Sequence, residues 1–312
     1  VGETARRSEI RVRSESRMSR LYEALRKSEI ENQQKGVVVT EISQPAEAFN
    51  NVAVGSNEMD SAVAVQTQVA PTAHLVAMTE PQSLAAEKFR VLVTRLNNIR
   101  AKRELKSMQV TSGVTDEGKT LVAANLAVTL ARHSQSRVLL VEGDLHNPAL
   151  HSLFGLSHLK GLNHWRSDSN ALITNYVYRI NDLPLWFLPA GARFDQPADF
   201  LQSGRFGEAF AQLAGSFDWI VVDSTPLLPM ADPNIWNRLV DGTLLVVREG
   251  VAPIKSLKKG LKSLDNPKLI GVVLNGASEF DRVNYYDQYY AATPRRTNGS
   301  ASAKAKDSEG SE

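Results

Sequence analysis

Gly113-Val114-Thr115-Asp116-Glu117-Gly118-Lys119-Thr120 fills every position of the pattern Gly-x-x-x-x-Gly-Lys-[Ser/Thr]. At average composition this pattern arises by chance in about one chain of this length per hundred. Its flanks carry it further. The run Lys106-Ser-Met-Gln-Val-Thr111 before it is strand-like, and Thr120-Leu-Val-Ala-Ala-Asn-Leu-Ala-Val-Thr-Leu-Ala-Arg132 after it is helix-like. Between a strand and a helix, the glycines let successive backbone N–H groups turn inward as an anion nest, and the helix N-terminus adds partial positive charge. The loop is therefore expected to cradle the phosphates of a nucleoside triphosphate. Lys119 would reach the β- and γ-phosphates, and the Thr120 hydroxyl would hold Mg²⁺.

Outward from the loop, apolar runs alternate with helical segments. Strands are expected at 107–111, 137–142, 185–188, 218–223, 243–247 and 269–274, with a weak one at His74–Met78. Helices are expected from Ser83 to Lys102 and at 119–133, 205–214, 231–239 and 254–264. Runs such as Val138-Leu-Leu-Val141 and Trp219-Ile-Val-Val222 do not alternate with polar residues, as befits strands covered on both faces. The pattern implies an α/β fold with a doubly wound, mostly parallel sheet, whose ligands sit at the carboxyl ends of the strands. Residues 151–182 are expected to form loops and short helices over that face.

Two of those strand ends are acidic. Asp223 closes the run Trp219-Ile-Val-Val222, where a carboxylate serves Mg²⁺ directly or through water. Glu142 and Asp144 are two apart on an extended segment, so both side chains are expected on one side, to hold Mg²⁺ and accept a proton.

The 312 residues carry a net charge of +2 and no cysteine. This excludes disulfides and Cys-ligated metals, and argues against a dedicated nucleic-acid binder. No apolar run approaches the ~20 residues needed to span a bilayer. The chain reads as cytoplasmic, reaching a membrane only through a partner. Residues 1–17, with five Arg and three Glu, read as a disordered arm upstream of Met18, a plausible start; 18–32 as a helix; 33–73 as a linker; 74–280 as the folded domain. In 281–312 a tyrosine cluster precedes a disordered tail, and Tyr285, Tyr286, Tyr289 and Tyr290 are four of the chain's seven tyrosines. His133, His151, His158 and His164 lack metal-ligand spacing and read as surface or loop residues.

These segments in this order resemble the bacterial tyrosine kinases of capsule and exopolysaccharide biosynthesis, whose fold is that of the MinD/ParA-like P-loop NTPases. Further family-like stretches are Glu87-Lys-Phe-Arg90, Gly161-Leu162, Pro189-Ala-Gly191, Asp232, Asp241-Gly-Thr-Leu-Leu-Val-Val-Arg248 and Gly271-Val-Val-Leu-Asn275, and Met18–Lys27 looks like the start of cytoplasmic members. The resemblance implies ATP and Mg²⁺, with Lys119, Glu142 and Asp144 catalytic and Thr120, Asp144 and Asp223 on the metal. It adds Asn275 to the loop residues as an ATP contact. It implies autophosphorylation of the four clustered tyrosines in a neighbouring subunit of a ring-shaped homo-oligomer, activated by a membrane protein that determines polysaccharide chain length. The chain departs from the family at Glu142 and Thr225, where Asp and Pro are usual, and at His146 and Val93, where Arg is usual. Two other readings stay open: a nucleotide-binding scaffold of the polysaccharide machinery, and a positioning ATPase. The latter usually has an extra Lys near the start of the loop, and Thr111-Ser112-Gly113-Val114 has none.

Overall fold

A computed structural model describes residues 59–156, 159–180, 183–264 and 268–277. The arm at 1–17, the helix at 18–32, the four clustered tyrosines and the tail lie outside the described residues.

Eight strands form one sheet: β1 (Val63–Val65), β2 (Ser107–Ser112), β3 (Val138–Glu142), β4 (Tyr178–Ile180), β5 (Leu185–Leu188), β6 (Trp219–Asp223), β7 (Gly242–Arg248) and β8 (Leu269–Asn275). Their spatial order is β1-β4-β5-β3-β6-β2-β7-β8, parallel throughout except for the antiparallel pair β4–β5. The phosphate-loop strand β2 lies inside the sheet between β6 and β7, with β3 one strand further on. This order brings the loop, Glu142 and Asp223 to one end of the sheet, with Glu142 and Asp223 directly paired in register.

The helices are α1 (Val76–Thr79), α2 (Leu84–Arg100), α3 (Lys119–Ser134), α4 (Leu150–Leu153), α5 (Leu162–Ser167), α6 (Pro197–Leu201), α7 (Gly204–Ser216), α8 (Asp232–Leu239) and α9 (Ile254–Ser263). Strand side chains alternate between two buried faces, which is why the runs carry no polar alternation. Val138 and Leu140 of β3, with Trp219 and Val221 of β6, enter the core built with α3. Leu139, Val141, Ile220 and Val222 enter the opposite one, with Phe200, Phe206, Phe210 and Trp236. Helix α3 is buried from Val122 to Ala131, and its alanines at 123, 124, 127 and 131 allow close approach to the sheet.

Three local expectations change. His74–Met78 is not a strand: α1 forms a single helical turn, with Leu75 buried beneath it. The deciding contact is remote. Asn125 of α3 accepts a hydrogen bond from the Ala77 N–H at 2.9 Å and donates to the His74 carbonyl at 3.2 Å. A short apolar run whose polar backbone is met this way needs no strand partner. Second, ordered structure begins before residue 74: β1 lies within the expected linker and pairs with β4. Third, β4 is itself a strand in the stretch expected to hold only loops and short helices, alongside the short helices α4 and α5.

Replacing Asn125 by Ala strips the Ala77 amide and the His74 carbonyl of a partner. We expect a loss of about 1–3 kcal/mol, the usual cost of orphaning buried polar groups. It should appear as a lower urea midpoint at unchanged slope; an unchanged midpoint would show that Asn125 does not hold α1 in place.

Candidate functional site

The loop at 113–118 connects the end of β2 to the start of α3, as the sequence reading requires. Its shape is set by one buried carboxylate. Glu117 is fully buried, and its two oxygens accept from the Val114 N–H at 3.0 Å and from the Arg248 N–H at 3.2 Å. The loop is thereby tied to the end of β7, and the Val114 amide is committed within the loop. Ser112 donates through Oγ to the Val114 carbonyl at 2.6 Å. Gly118 has φ +88° and lies so close to Asn275 that a Cβ would come within 2.2 Å of its amide nitrogen. That amide donates to the Glu117 carbonyl at 2.9 Å. Asn275, at the end of β8, is thus packed on the loop backbone, and position 118 must be glycine both for its left-handed conformation and for this approach.

Lys119 opens α3 and turns to the acidic strand ends. Its Nζ is 2.8 Å from Asp144 Oδ2 and 3.3 Å from the Thr120 hydroxyl. Burial works against the charge on Lys119, but Asp223, Asp144 and Asp116 together outweigh it and hold its pKa above the ordinary value. Asp144 also accepts from the Asn147 N–H at 3.0 Å.

Asp223 is the exposed nerve of the site, though fully buried. Neither of its oxygens closes a hydrogen bond of regular geometry among the described residues, although the Thr120 hydroxyl is a near neighbour. Its pKa is raised to about 7, because burial, helped by the Asp144 and Glu142 charges, outweighs the opposing pull of Lys119 and Thr120. An unpartnered buried carboxylate is costly in isolation and is the feature expected of a site that receives a cation.

Glu142 closes β3 in register with Asp223, and its charge, like that of Asp144, bears on Asp223. Glu142 is fully buried: Oε1 meets the His151 N–H at 3.2 Å and His151 Nδ1 at 2.9 Å, and Oε2 accepts from the Ala190 N–H at 3.0 Å. The hydrogen bond to Glu142 raises the His151 pKa, with burial opposing and the Glu142 charge assisting. His151, expected to be an ordinary loop residue, therefore belongs to the site's support. Nothing in local spacing signals this, because its partner comes from a strand end nine residues back. His146, at the position of a family Arg, brings Nε2 to 3.1 Å from Asp232 Oδ2, close in charge but without a well-aligned hydrogen bond.

The structure thus gathers Lys119, Thr120, Asp144 and Asp223 around one point, packs Asn275 on the loop, and engages the Glu142 oxygens with His151 and Ala190. Tyr285, Tyr286, Tyr289 and Tyr290 lie outside the described residues. A surface cavity of about 170 Å³, lined by Trp165, Leu172, Arg205 and Glu208 among others, shares no residue with this constellation. Among the described residues no helix is long and apolar enough to cross a membrane.

Residues 108–298 match the CobQ/CobB/MinD/ParA nucleotide binding domain. The chain is 31% identical over 217 residues to the tyrosine-protein kinase YwqD of Bacillus subtilis (strain 168), a match spanning 68% of this chain and 91% of that one. It is 29% identical over 233 residues to the succinoglycan biosynthesis transport protein ExoP of Rhizobium meliloti (strain 1021), across 69% of this chain and 29% of that protein. The solved BceF tyrosine kinase domain superposes with a TM-score of 0.58 at 30% identity, covering 65% of this chain and 82% of that domain. By its phosphate loop, its sheet and these matches, the chain belongs to the CobQ/CobB/MinD/ParA nucleotide-binding family and, within it, to the bacterial tyrosine-protein kinases.

Proposed function

We propose that the protein is an ATP- and Mg²⁺-dependent tyrosine autokinase that regulates exopolysaccharide synthesis and export. The observation carrying this reading is the convergence of a buried lysine, a hydroxyl and two carboxylates on the mouth of the phosphate loop. Its acceptors are Tyr285, Tyr286, Tyr289 and Tyr290 of a neighbouring copy. Its activator is a membrane chain-length-determinant protein, which also holds the otherwise cytoplasmic chain at the membrane.

The residues present fit Mg²⁺. Asp223 offers two unpartnered oxygens beside the Thr120 hydroxyl. The described residues hold no ready cluster of three or more His, Cys, Asp or Glu ligands, which suits an ion that keeps several waters and shares phosphate oxygens. When bound, the ion would neutralise charge on the transferred phosphoryl group. The loop amides that remain free and Lys119 position the phosphates. The attacking group is a phenol of pKa near 10, which needs a carboxylate to take its proton. Asp144, which lies beside Lys119, is the acceptor we assign. The tyrosine oxygen bonds to the γ-phosphorus as the bond to the β-phosphate bridging oxygen breaks, and ADP leaves. Tyr285 follows the last residue of β8 by ten positions, and we assign the transfer to a neighbouring copy, as the family resemblance implies.

One observation favours the scaffold reading as runner-up. At the position where the family's oligomerisation helix carries a second Arg, Val93 is 4% exposed and belongs to the core, while Glu87 and Arg90 pair within α2. A ring built on that motif lacks one of its contacts here.

Lys119→Met should abolish tight ATP binding or phosphorylation, since the β/γ-phosphates lose their side-chain cation. Asp223→Asn should cost more in turnover than in ATP affinity. Parent-like binding isotherms and rates for both variants would move the nucleotide site elsewhere.

The raised Asp223 pKa has a definite sign. Between the unfolded value of 3.8 and about 7 the native state holds a proton that the unfolded chain has lost. Stability of the ligand-free protein should therefore fall as pH rises through that window. Mg²⁺–ATP binding near pH 6 should release close to one proton, counted by calorimetry in buffers of different ionisation heat. Equal proton release by Asp223→Asn would assign the titration to another group.

Mixing Lys119→Met protein with an active protein whose four clustered tyrosines are Phe separates kinase from scaffold. Label on the tail of the inactive partner, mapped by mass spectrometry, is the expected result. If an ATP-binding pair with its membrane activator present gives none, the scaffold reading replaces the kinase reading.

A further inference from the structure

Three carboxylates stand at the acidic strand ends, and their surroundings differ. Asp223 has both oxygens open. Asp144 faces Lys119 at 2.8 Å. Glu142 has neither oxygen to spare, since one is met twice by His151 and the other by the Ala190 amide. Glu142 and its partners thus join three separate pieces of chain: the end of β3, the start of α4, and the turn after β5. Between Glu142 and His151 runs the loop 143–150 that carries Asp144.

We propose that Glu142 is a positioning residue, a latch that closes the Asp144 loop at its base, and that His151 is the partner that makes a glutamate the right length there. The proposal rests on the reading of Asp144 as the working carboxylate of the kinase site.

The loop is held at several further points. Gly143 donates its N–H to the Asp223 carbonyl at 2.9 Å, and the Trp236 indole donates to the Gly143 carbonyl at 3.3 Å. A Cβ at position 143 would lie 2.6 Å from Val222 and 2.9 Å from the Asp223 oxygen, so the backbone here is pressed against β6. Phe194 donates to the carbonyl of the buried Leu145 at 3.1 Å. These contacts fix the proximal half of the loop. The Glu142–His151 bonds fix where it returns, and the Ala190 bond ties both to the neighbouring turn. Ala190 is fully buried, so without Glu142 its amide would face no alternative partner from solvent.

Side-chain length is the crux. Aspartate is shorter by one C–C bond, about 1.5 Å. Contacts of 2.9–3.2 Å lengthened by that amount cease to be hydrogen bonds. Because Asp is usual at this position in the family, the resemblance alone would have Glu142→Asp leave activity equal or higher. The structure gives the opposite sign. A shorter side chain releases Ala190, His151 or both, and Asp144 loses its placement; a shift of about 1 Å at a reacting centre costs on the order of a hundredfold in rate.

The test compares full-length Glu142→Asp, Glu142→Gln, His151→Ala, His151→Asn and the Glu142→Asp/His151→Ala double variant with the parent. For Glu142→Asp we expect single-turnover phosphorylation to fall ten- to a hundredfold, with ATP affinity within about twofold. His151→Ala should fall in the same parameter, and His151→Asn, whose amide can stand in for Nδ1–H, should recover most of it. The double variant should be no worse than Glu142→Asp alone, as befits two ends of one interaction. Parent-like or higher activity of Glu142→Asp overturns the proposal. So does an inactive Glu142→Gln beside a fully active His151→Ala, because Glu142 would then act through its own charge.

Hydrogen exchange gives a readout that needs no kinase activity. Glu142→Asp should lose amide protection at Ala190 and Gly191 and within 143–151, and His151→Ala within 143–151. If the parent transfers no phosphate at all, the kinase reading fails while this exchange pattern still judges the latch. Unchanged protection in both variants refutes it.

Discussion

Lys119 is the charge on which the site depends. It is largely withdrawn from water, and taking an ammonium out of water costs several kcal/mol unless opposite charge is supplied close by. Asp144 supplies it at 2.8 Å, and Asp223 contributes from the neighbouring strand end. The reverse also holds, since Asp223 is fully buried with no regular hydrogen bond and Lys119 is the main group opposing its protonation. The three residues therefore cannot be considered singly. Removing the lysine leaves two buried carboxylates facing each other, and removing Asp144 leaves Asp223 as the lysine's nearest strong counter-charge.

The sheet order follows from this requirement. A loop lysine can meet two carboxylates only if the strands that end in them lie next to the loop strand. The order β3-β6-β2 achieves this, with Val110 of β2 and Glu142 of β3 both in register with Asp223 of β6. The same order places β7 on the other side, where Arg248 donates its backbone N–H to Glu117 and steadies the loop. One edge of β2 thus carries the charges that the ligand meets, and the other carries the brace that shapes the loop.

How much of this was legible in the sequence depended on the range of the deciding contact. Strand β6 and its terminal Asp223 were readable because the run Trp219-Ile-Val-Val222 states its own burial. The loop was readable because a contiguous motif dictates its conformation. Strands β1 and β4, of three residues each, are too short to show periodicity, and they pair with each other across 115 positions. The single turn α1 was misread as a strand because Asn125, 48 residues away, decides it. Glu142 was readable as an acidic strand end, but its partners His151 and Ala190, 9 and 48 residues away, were not. His151 was discounted because histidines were weighed as metal ligands, whereas its partner is a buried carboxylate.

The departures from the family's motifs then sort by where their consequences fall. Glu142 is matched by His151, and His146 is brought within 3.1 Å of Asp232, whose own charge is disfavoured by burial. Each changed residue of the second acidic motif thus meets a neighbour inside the same structural corner, and Lys119 keeps its pairing with Asp144. The change at Val93 has no such local answer. An apolar side chain buried in the core cannot present charge to a neighbouring copy, and Arg90 is already engaged by Glu87 and by the Pro81 carbonyl. The nucleotide site and the motif around Val93 occupy different elements, the strand ends and α2. The contacts that shape the nucleotide site close at the strand ends and the loop, so the change at position 93 leaves them in place.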